Sequence, residues 1–333
     1  MNATLATLLS LLFLQLHHQG DYLDRSTILV HNYRWSPMLL SSYYWLNEKS
    51  LFVWQAISEG DLRPAVVDVR EQDLSYVEWN IGLDRDTYLA SILHGLTPDH
   101  KSLFLQIIGR GSPKFSVLTL PTGQVETFDI SGENGSWCQR SHSWVFLEDD
   151  NGKLAIAQLA RKENRWQRSR LCVLNQQSLP SSPPLSPREW RVLGINPQGK
   201  VLICPRHHQN DTVVSLWEVD TSNSRSAPLF HKVQLPPNNL TLSEPDIILS
   251  AQGTQIAWLF QRTGKAKEDP NTVTEIWISR WDGLNMSRLG IHYGDVTDTP
   301  LMLHWLPNGK ALSFIQNHIL HRVEVPRSIS SQN

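Results

Sequence analysis

The sequence predicts an all-β fold: a six-bladed β-propeller with four-stranded antiparallel blades, its ring closed by an N-terminal strand. Three observations predict it. A turn followed by an alternating apolar strand recurs at a period of roughly 50 residues, in the range of a propeller blade. Tryptophans sit inside short β-like runs. A strand is missing at one end of the chain and left over at the other.

The recurring unit pairs an apolar or aromatic residue with a Pro-Asn-Gly-Lys type of turn and then a strand. It is clear in "WLPNGKALSF" from Trp305, "LTPDHKSLFLQ" (Leu96 to Gln106), "INPQGKVLIC" (Ile195 to Cys204) and "LSAQGTQIAWLF" (Leu249 to Phe260). Weaker copies are "WLNEKSLFVW" (Trp45 to Trp54) and "LEDDNGKLAIAQL" (Leu147 to Leu159). Aligned on the lysine position, the copies fall at Lys49, Lys101, Lys153, Lys200, Thr254 and Lys310, with spacings of 52, 52, 47, 54 and 56.

Each unit divides into strands at Gly, Pro, Asn and Asp signals. The fourth unit reads "EWRVLGI", "KVLICP", "VVSLWEV" and "PLFHKVQL", and the fifth "PDIILS", "QIAWLF", "TEIWISRW" and "MSRLGI". In the third unit Lys153 is expected to follow the first strand, which leaves the fourth strand to the proline-rich "SLPSSPPLSP". Proline has no N–H for the ladder, so only an edge strand tolerates it. The sixth unit offers "LMLHWL", "KALSFIQ" and "HILHRVEV" and lacks a fourth strand, while "STILVHN" (Ser26 to Asn32) is strand-like and unassigned. Pairing it beside "HILHRVEV" completes the last blade and covers its edge. The expected organisation is a short apolar segment over 1–20, one propeller over 21–326 and a polar tail over 327–333.

Composition agrees with a large folded core: 333 residues, 40% apolar and 19% charged. The 13 tryptophans suit a pleated, half-buried surface. A net charge of -2 gives no attraction to polyanions, so no nucleic-acid partner is expected. Cys138, Cys172 and Cys204 are too few and too irregularly spaced for a disulfide framework or zinc site, and read as small buried hydrophobes. The apolar run Leu5 to Leu16 is shorter than the roughly 20 residues a spanning helix needs. It has the length of a signal-peptide core but no preceding Lys or Arg and no clear cleavage site. Export or membrane association through residues 5–16 is the expectation, set against a helix packed on the domain.

These turns resemble the TolB-like β-propeller repeat, whose usual form is Trp-Ser-Pro-Asp-Gly-Lys before an apolar strand. The resemblance covers about 280 residues, with departures at Asn47-Glu48, His100 and Ala251. It implies a scaffold that binds a protein or peptide outside the cytoplasm. WD-repeat blades fit poorly, since one Trp281-Asp282 pair occurs and no Gly-His.

No catalytic motif emerges. The chain holds neither the Gly-x-Ser-x-Gly elbow of an α/β-hydrolase nor the Asp-box turns of sialidases. "RHHQND" (Arg206 to Asp211) puts two histidines on opposite faces of an extended chain, so His207 and His208 read as solvated. His304, His318 and His321 gather in the sixth unit. "RKENRWQRSR" (Arg161 to Arg170) sets five cations around Trp166 and reads as a solvated hairpin between strands two and three, or as a contact for phosphate or an acidic partner. Catalytic, cofactor and metal residues are therefore assigned to none. Partner binding is expected on the rim of loops leading into each first strand, at Asp86, Arg140, His142, Arg188, Glu189, Glu244, Asp246 and Asp298. A monomeric, non-enzymatic protein-binding propeller is the favoured reading, with a channel-mouth hydrolase or lyase as the alternative.

Overall fold

The computed structural model describes residues 26–30, 43–58, 61–69, 73–76, 91–97, 101–107, 114–119, 122, 124–130, 135–138, 141–163, 165–174, 187–206, 213–223, 227–235, 241–263, 272–294, 301–316 and 319–326. Within them lie six antiparallel sheets of four strands each. After β1 (Ser26–Val30), the first sheet is β2 (Tyr43–Trp45), β3 (Ser50–Ser58), β4 (Asp61–Asp68) and β5 (Asp73–Tyr76). The second is β6 (Ser91–Leu96), β7 (Ser102–Ile107), β8 (Lys114–Thr119) and β9 (Gln124–Phe128). The third is β10 (Ser136–Cys138), β11 (Ser143–Asp150), β12 (Lys153–Lys162) and β13 (Arg165–Val173).

The fourth sheet is β14 (Trp190–Ile195), β15 (Val201–Pro205), β16 (Val213–Val219) and β17 (Leu229–Gln234). The fifth is β18 (Thr241–Leu249), β19 (Gln255–Thr263), β20 (Thr272–Arg280) and β21 (Ser287–Gly294). The sixth contains β22 (Leu301–Trp305), β23 (Ala311–Gln316) and β24 (Ile319–Glu324), and β1 pairs with β24 as its outer strand, Ser26 opposite Arg322 and Val30 opposite Ile319.

First strands meet in sequence order: β2 lies on β6, β6 on β10, β10 on β14, β14 on β18 and β18 on β22. The sixth sheet returns to the first, where the Tyr43 hydroxyl shares a hydrogen bond with Ser313 Oγ at 3.0 Å and Trp45 Nε1 donates to the same oxygen at 2.7 Å. This cyclic order of antiparallel sheets is that of a β-propeller. The core sits between neighbouring sheets, which explains why a central strand such as "SWVFL" is apolar without alternation. Trp144 and Phe146 face the second sheet, whereas Val145 and Leu147 face the fourth. Fully burying one such Val, Leu or Phe side chain contributes about 1.5–3 kcal/mol. Trp258 is fully buried, with its indole N–H donating to Ser279 Oγ at 2.8 Å.

The third sheet corrects the sequence reading. Its first strand is the three-residue β10, and Lys153 follows a hairpin between the second and third strands. The cause is turn chemistry. Asn151 and Gly152, at φ 55° and 78°, form a two-residue turn with Asp150 paired to Lys153, the geometry Asn-Gly favours. The equivalent of the other repeat turns is the connection before Ser143, where His142 holds φ 46° in place of glycine. The fourth strand is β13, so "SLPSSPPLSP" is not needed to supply one.

Candidate partner-binding rim

One end of the fourth sheet carries a built polar rim. Pro187–Glu189 forms a 3-10 turn leading into β14. β15 returns to the same end, pairing Pro205 with Trp190. There the Arg206 backbone N–H donates to the Glu189 carbonyl at 2.7 Å, and its Nε donates to the Trp190 carbonyl at 3.4 Å. In the sequence Arg206 is only the residue that opens "RHHQND". Its position follows from strand return, since two connections of one sheet share an end.

The structure distributes the predicted rim residues unequally. Arg188 and Glu189 occupy the 3-10 turn, with Glu189 half-buried. Glu244 and Asp246 fall inside β18 instead of in a loop before it. They lie in a stretch where four residues, Ser243 to Asp246, stand opposite Leu259 alone, so the ladder bulges there. His142 is exposed in the turn after β10, at the far end of a first strand from the position Glu189 occupies. It therefore leaves the predicted rim. Asp86, Arg140 and Asp298 lie outside the described residues.

The opposite rim is built from stacked turns. In the fifth sheet Gly253, at φ 74°, packs so closely on the fourth that a Cβ there would stand 2.2 Å from the Ile195 carbonyl oxygen. Gln252 Nε2 then reaches the Pro307 carbonyl of the sixth sheet's turn at 2.9 Å. Lys200 has a further role: its Nζ lies 2.7 Å from Glu218, a buried carboxylate also 3.2 Å from His231 Nε2. Hydrogen bonding and charge from Glu218 push the Lys200 pKa up.

The histidines of the sixth unit do not converge. His304, half-buried on β22, meets the rings of Tyr43 and Tyr44 edge-on at 4.6 and 5.3 Å. Burial lowers its pKa to about 4, so it is neutral at pH 7. His321 is buried on β24 against Phe314, and His318 lies outside the described residues. Burial also raises both tyrosine hydroxyls, opposed at Tyr43 by the hydrogen bond to Ser313.

Among the described residues no group of three or more His, Cys, Asp and Glu side chains could hold a metal ion. All three cysteines are buried, and none forms a disulfide. Burial pushes the Cys138 thiol up to about 12; it also drives Cys172 to about 11, helped by Asp220 and opposed by a backbone hydrogen bond at Ile156. No helix of the described residues is long and apolar enough to cross a membrane. The run Leu5 to Leu16 lies outside them.

The basic hairpin joins β12 to β13, the third and fourth strands. Its tryptophan is core: Trp166 is 7% exposed and meets Phe104 edge-on at 5.2 Å. Arg168 Nη2 contacts Glu148 at 2.5 Å and Arg170 Nη1 contacts Asp150 at 2.9 Å.

The fold thus defines a β-propeller with polar loops at one end of its sheets and stacked turns at the other. No family model matches the chain, and no curated protein matches it. Among solved structures it is similar to TolB from Acinetobacter baumannii, at 16% identity and a TM-score of 0.47 over 79% of this chain and 60% of that one. A TolB candidate from Agrobacterium tumefaciens aligns at 14% identity and a TM-score of 0.48 over 86% and 90%. An oligogalacturonate lyase in complex with manganese aligns at 11% identity and a TM-score of 0.45 over 85% and 76%. The chain spans three fifths of the length of the first.

Proposed function

We propose that the chain is a single six-bladed propeller over residues 21–326, closed by β1, which binds a protein or peptide partner without catalysis. One observation carries the binding reading: at one end of the fourth sheet, Arg206 is folded onto Glu189 and Trp190 from a second connection. Loops held in this way on a rigid scaffold present fixed polar groups, which favours recognition. The surface comprises Asp86, Arg188, Glu189, Glu244, Asp246 and Asp298; Arg140 and His142 both belong in sequence to the connection between β10 and β11 and are left out of it. Its mixed charge suits a polar peptide or a patch of protein. Residues 1–20 would direct the chain to export or to a membrane surface, and 327–333 would form a polar tail. A ring with covered edges favours a monomer.

The test is affinity capture from the native host with the wild-type chain and with Arg188→Glu, Glu189→Lys and Asp246→Lys combined. A stoichiometric partner captured by the first and lost by the second is expected. Equal capture by both would remove the rim. Failure to capture any partner, together with turnover in a broad substrate screen, would replace this reading with a hydrolase or lyase at the channel mouth. Closure is tested separately by deleting residues 26–30, which should lower the thermal midpoint; an unchanged midpoint rejects it.

A further inference from the structure

We propose that the tip of the β12–β13 hairpin is a second docking surface, for an acidic protein segment, at the end of the sheets opposite Glu189. The ladder runs out to the pair Lys162 and Arg165, directly opposite each other. Like charges facing across a ladder cost stability, yet the tip keeps them. Arg161, Lys162 and Arg165 are all exposed and form no ion pair among the described residues. Glu163, exposed in the turn at φ 48°, forms none with them either. Ser143 pairs with Ala160, so His142 and Arg161, one residue further on each side, come to neighbouring positions and extend the basic patch.

The base of the same hairpin shows which anion fits. Arg168 and Arg170 are met by Glu148 and Asp150, two carboxylates spaced by one residue on a single extended strand. Arginine matches carboxylates well because its planar donors are fixed in a fork. The tip presents three further cations, Arg161, Lys162 and Arg165, which no carboxylate among the described residues meets. Its geometry also selects among anions. Lys162 and Arg165 share one face of the hairpin, whereas Arg161 shares the other with Trp166.

Cations on both faces do not converge on one phosphate, and a flat bilayer would meet only one face. Trp166 is buried in the core and unavailable to stack on a base. A chain or groove carrying several carboxylates can engage both faces.

The probe is a synthetic peptide of alternating Glu and Ser, labelled and titrated by fluorescence anisotropy against the full chain. Binding should weaken steeply between about 50 and 300 mM salt. It should fall at least about tenfold when Arg161, Lys162 and Arg165 are all changed to Glu, as loss of three exposed pairs implies. A milder triple change to Gln, with an unaltered melting curve, should give a smaller loss and guards against misfolding. Absence of binding at low salt, or unchanged affinity in both triple variants, overturns the proposal. Stronger, hairpin-dependent binding to phosphatidylserine vesicles or to RNA than to the peptide also overturns it. The rim around Glu189 is tested by other substitutions, so either proposal can fail alone.

Discussion

The seam between the fourth and fifth sheets and the seam between the sixth and first are closed by different forces. The former rests on a large apolar cluster that includes Leu202, Val214, Leu216, Ile256, Trp258 and Phe260, capped by the backbone contact of Gly253. The latter, among the described residues, gathers Tyr43, Leu51, Val53, Val67, Ile315 and Leu320, and adds hydrogen bonds of Tyr43 and Trp45 with the fully buried Ser313. Sheets adjacent in sequence can rely on non-directional burial, because chain connection already limits their alternatives. The closing seam joins residues about 270 apart, so directional polar contacts help fix its register.

Substitutions should separate the two seams in graded fashion. Gly253→Ala should have the largest effect, roughly 3 kcal/mol or more, because a left-handed backbone and a backbone clash act together. Urea midpoints would show it. Ser313→Ala should cost about 2 kcal/mol, since the buried Tyr43 hydroxyl and the half-buried Trp45 indole N–H both lose their Ser313 partner. A loss below that of an exposed serine in the same assay would count against a polar seam.

Acid should act on the closing seam next. The folded pKa of His304, about 4, lies below its unfolded value near 6.5, so the unfolded chain takes up the proton first as pH falls. Stability is therefore complete above about pH 6.5 and declines towards pH 4, below which this contribution is flat. The expected loss is about 1 kcal/mol, reduced by partial exposure of the ring. His304→Phe should remove that part of the slope when urea midpoints are compared with wild type, whereas an unchanged slope would acquit His304. The smallest effect belongs to Gly152→Ala, about 1 kcal/mol, because its left-handed φ of 78° remains but nothing lies within 4 Å of a new Cβ.

These turns also show what was legible beforehand. Gly199, Gly253 and Gly309 stand just before the aligned Lys200, Thr254 and Lys310, and all three adopt positive φ. That pattern is written locally, so it located first-to-second-strand turns in the fourth, fifth and sixth sheets. "DNGK" matched the same letters but made a two-residue hairpin one strand further out. This shift reassigned the basic hairpin and moved His142 to the opposite end. Trp166 likewise reads as an exposed aromatic among cations until Phe104, distant in sequence, is packed against it.

By itself the sequence determined an all-β chain and most of its repeat turns. These depend on φ preferences, apolar runs and unit arithmetic, which are properties of short segments. Only the tertiary structure decided the level of each strand in the third sheet, the bulge holding Glu244 and Asp246, and the meeting of Arg206 with Glu189. Those depend on ladders and contacts between distant segments, whose register no single segment specifies.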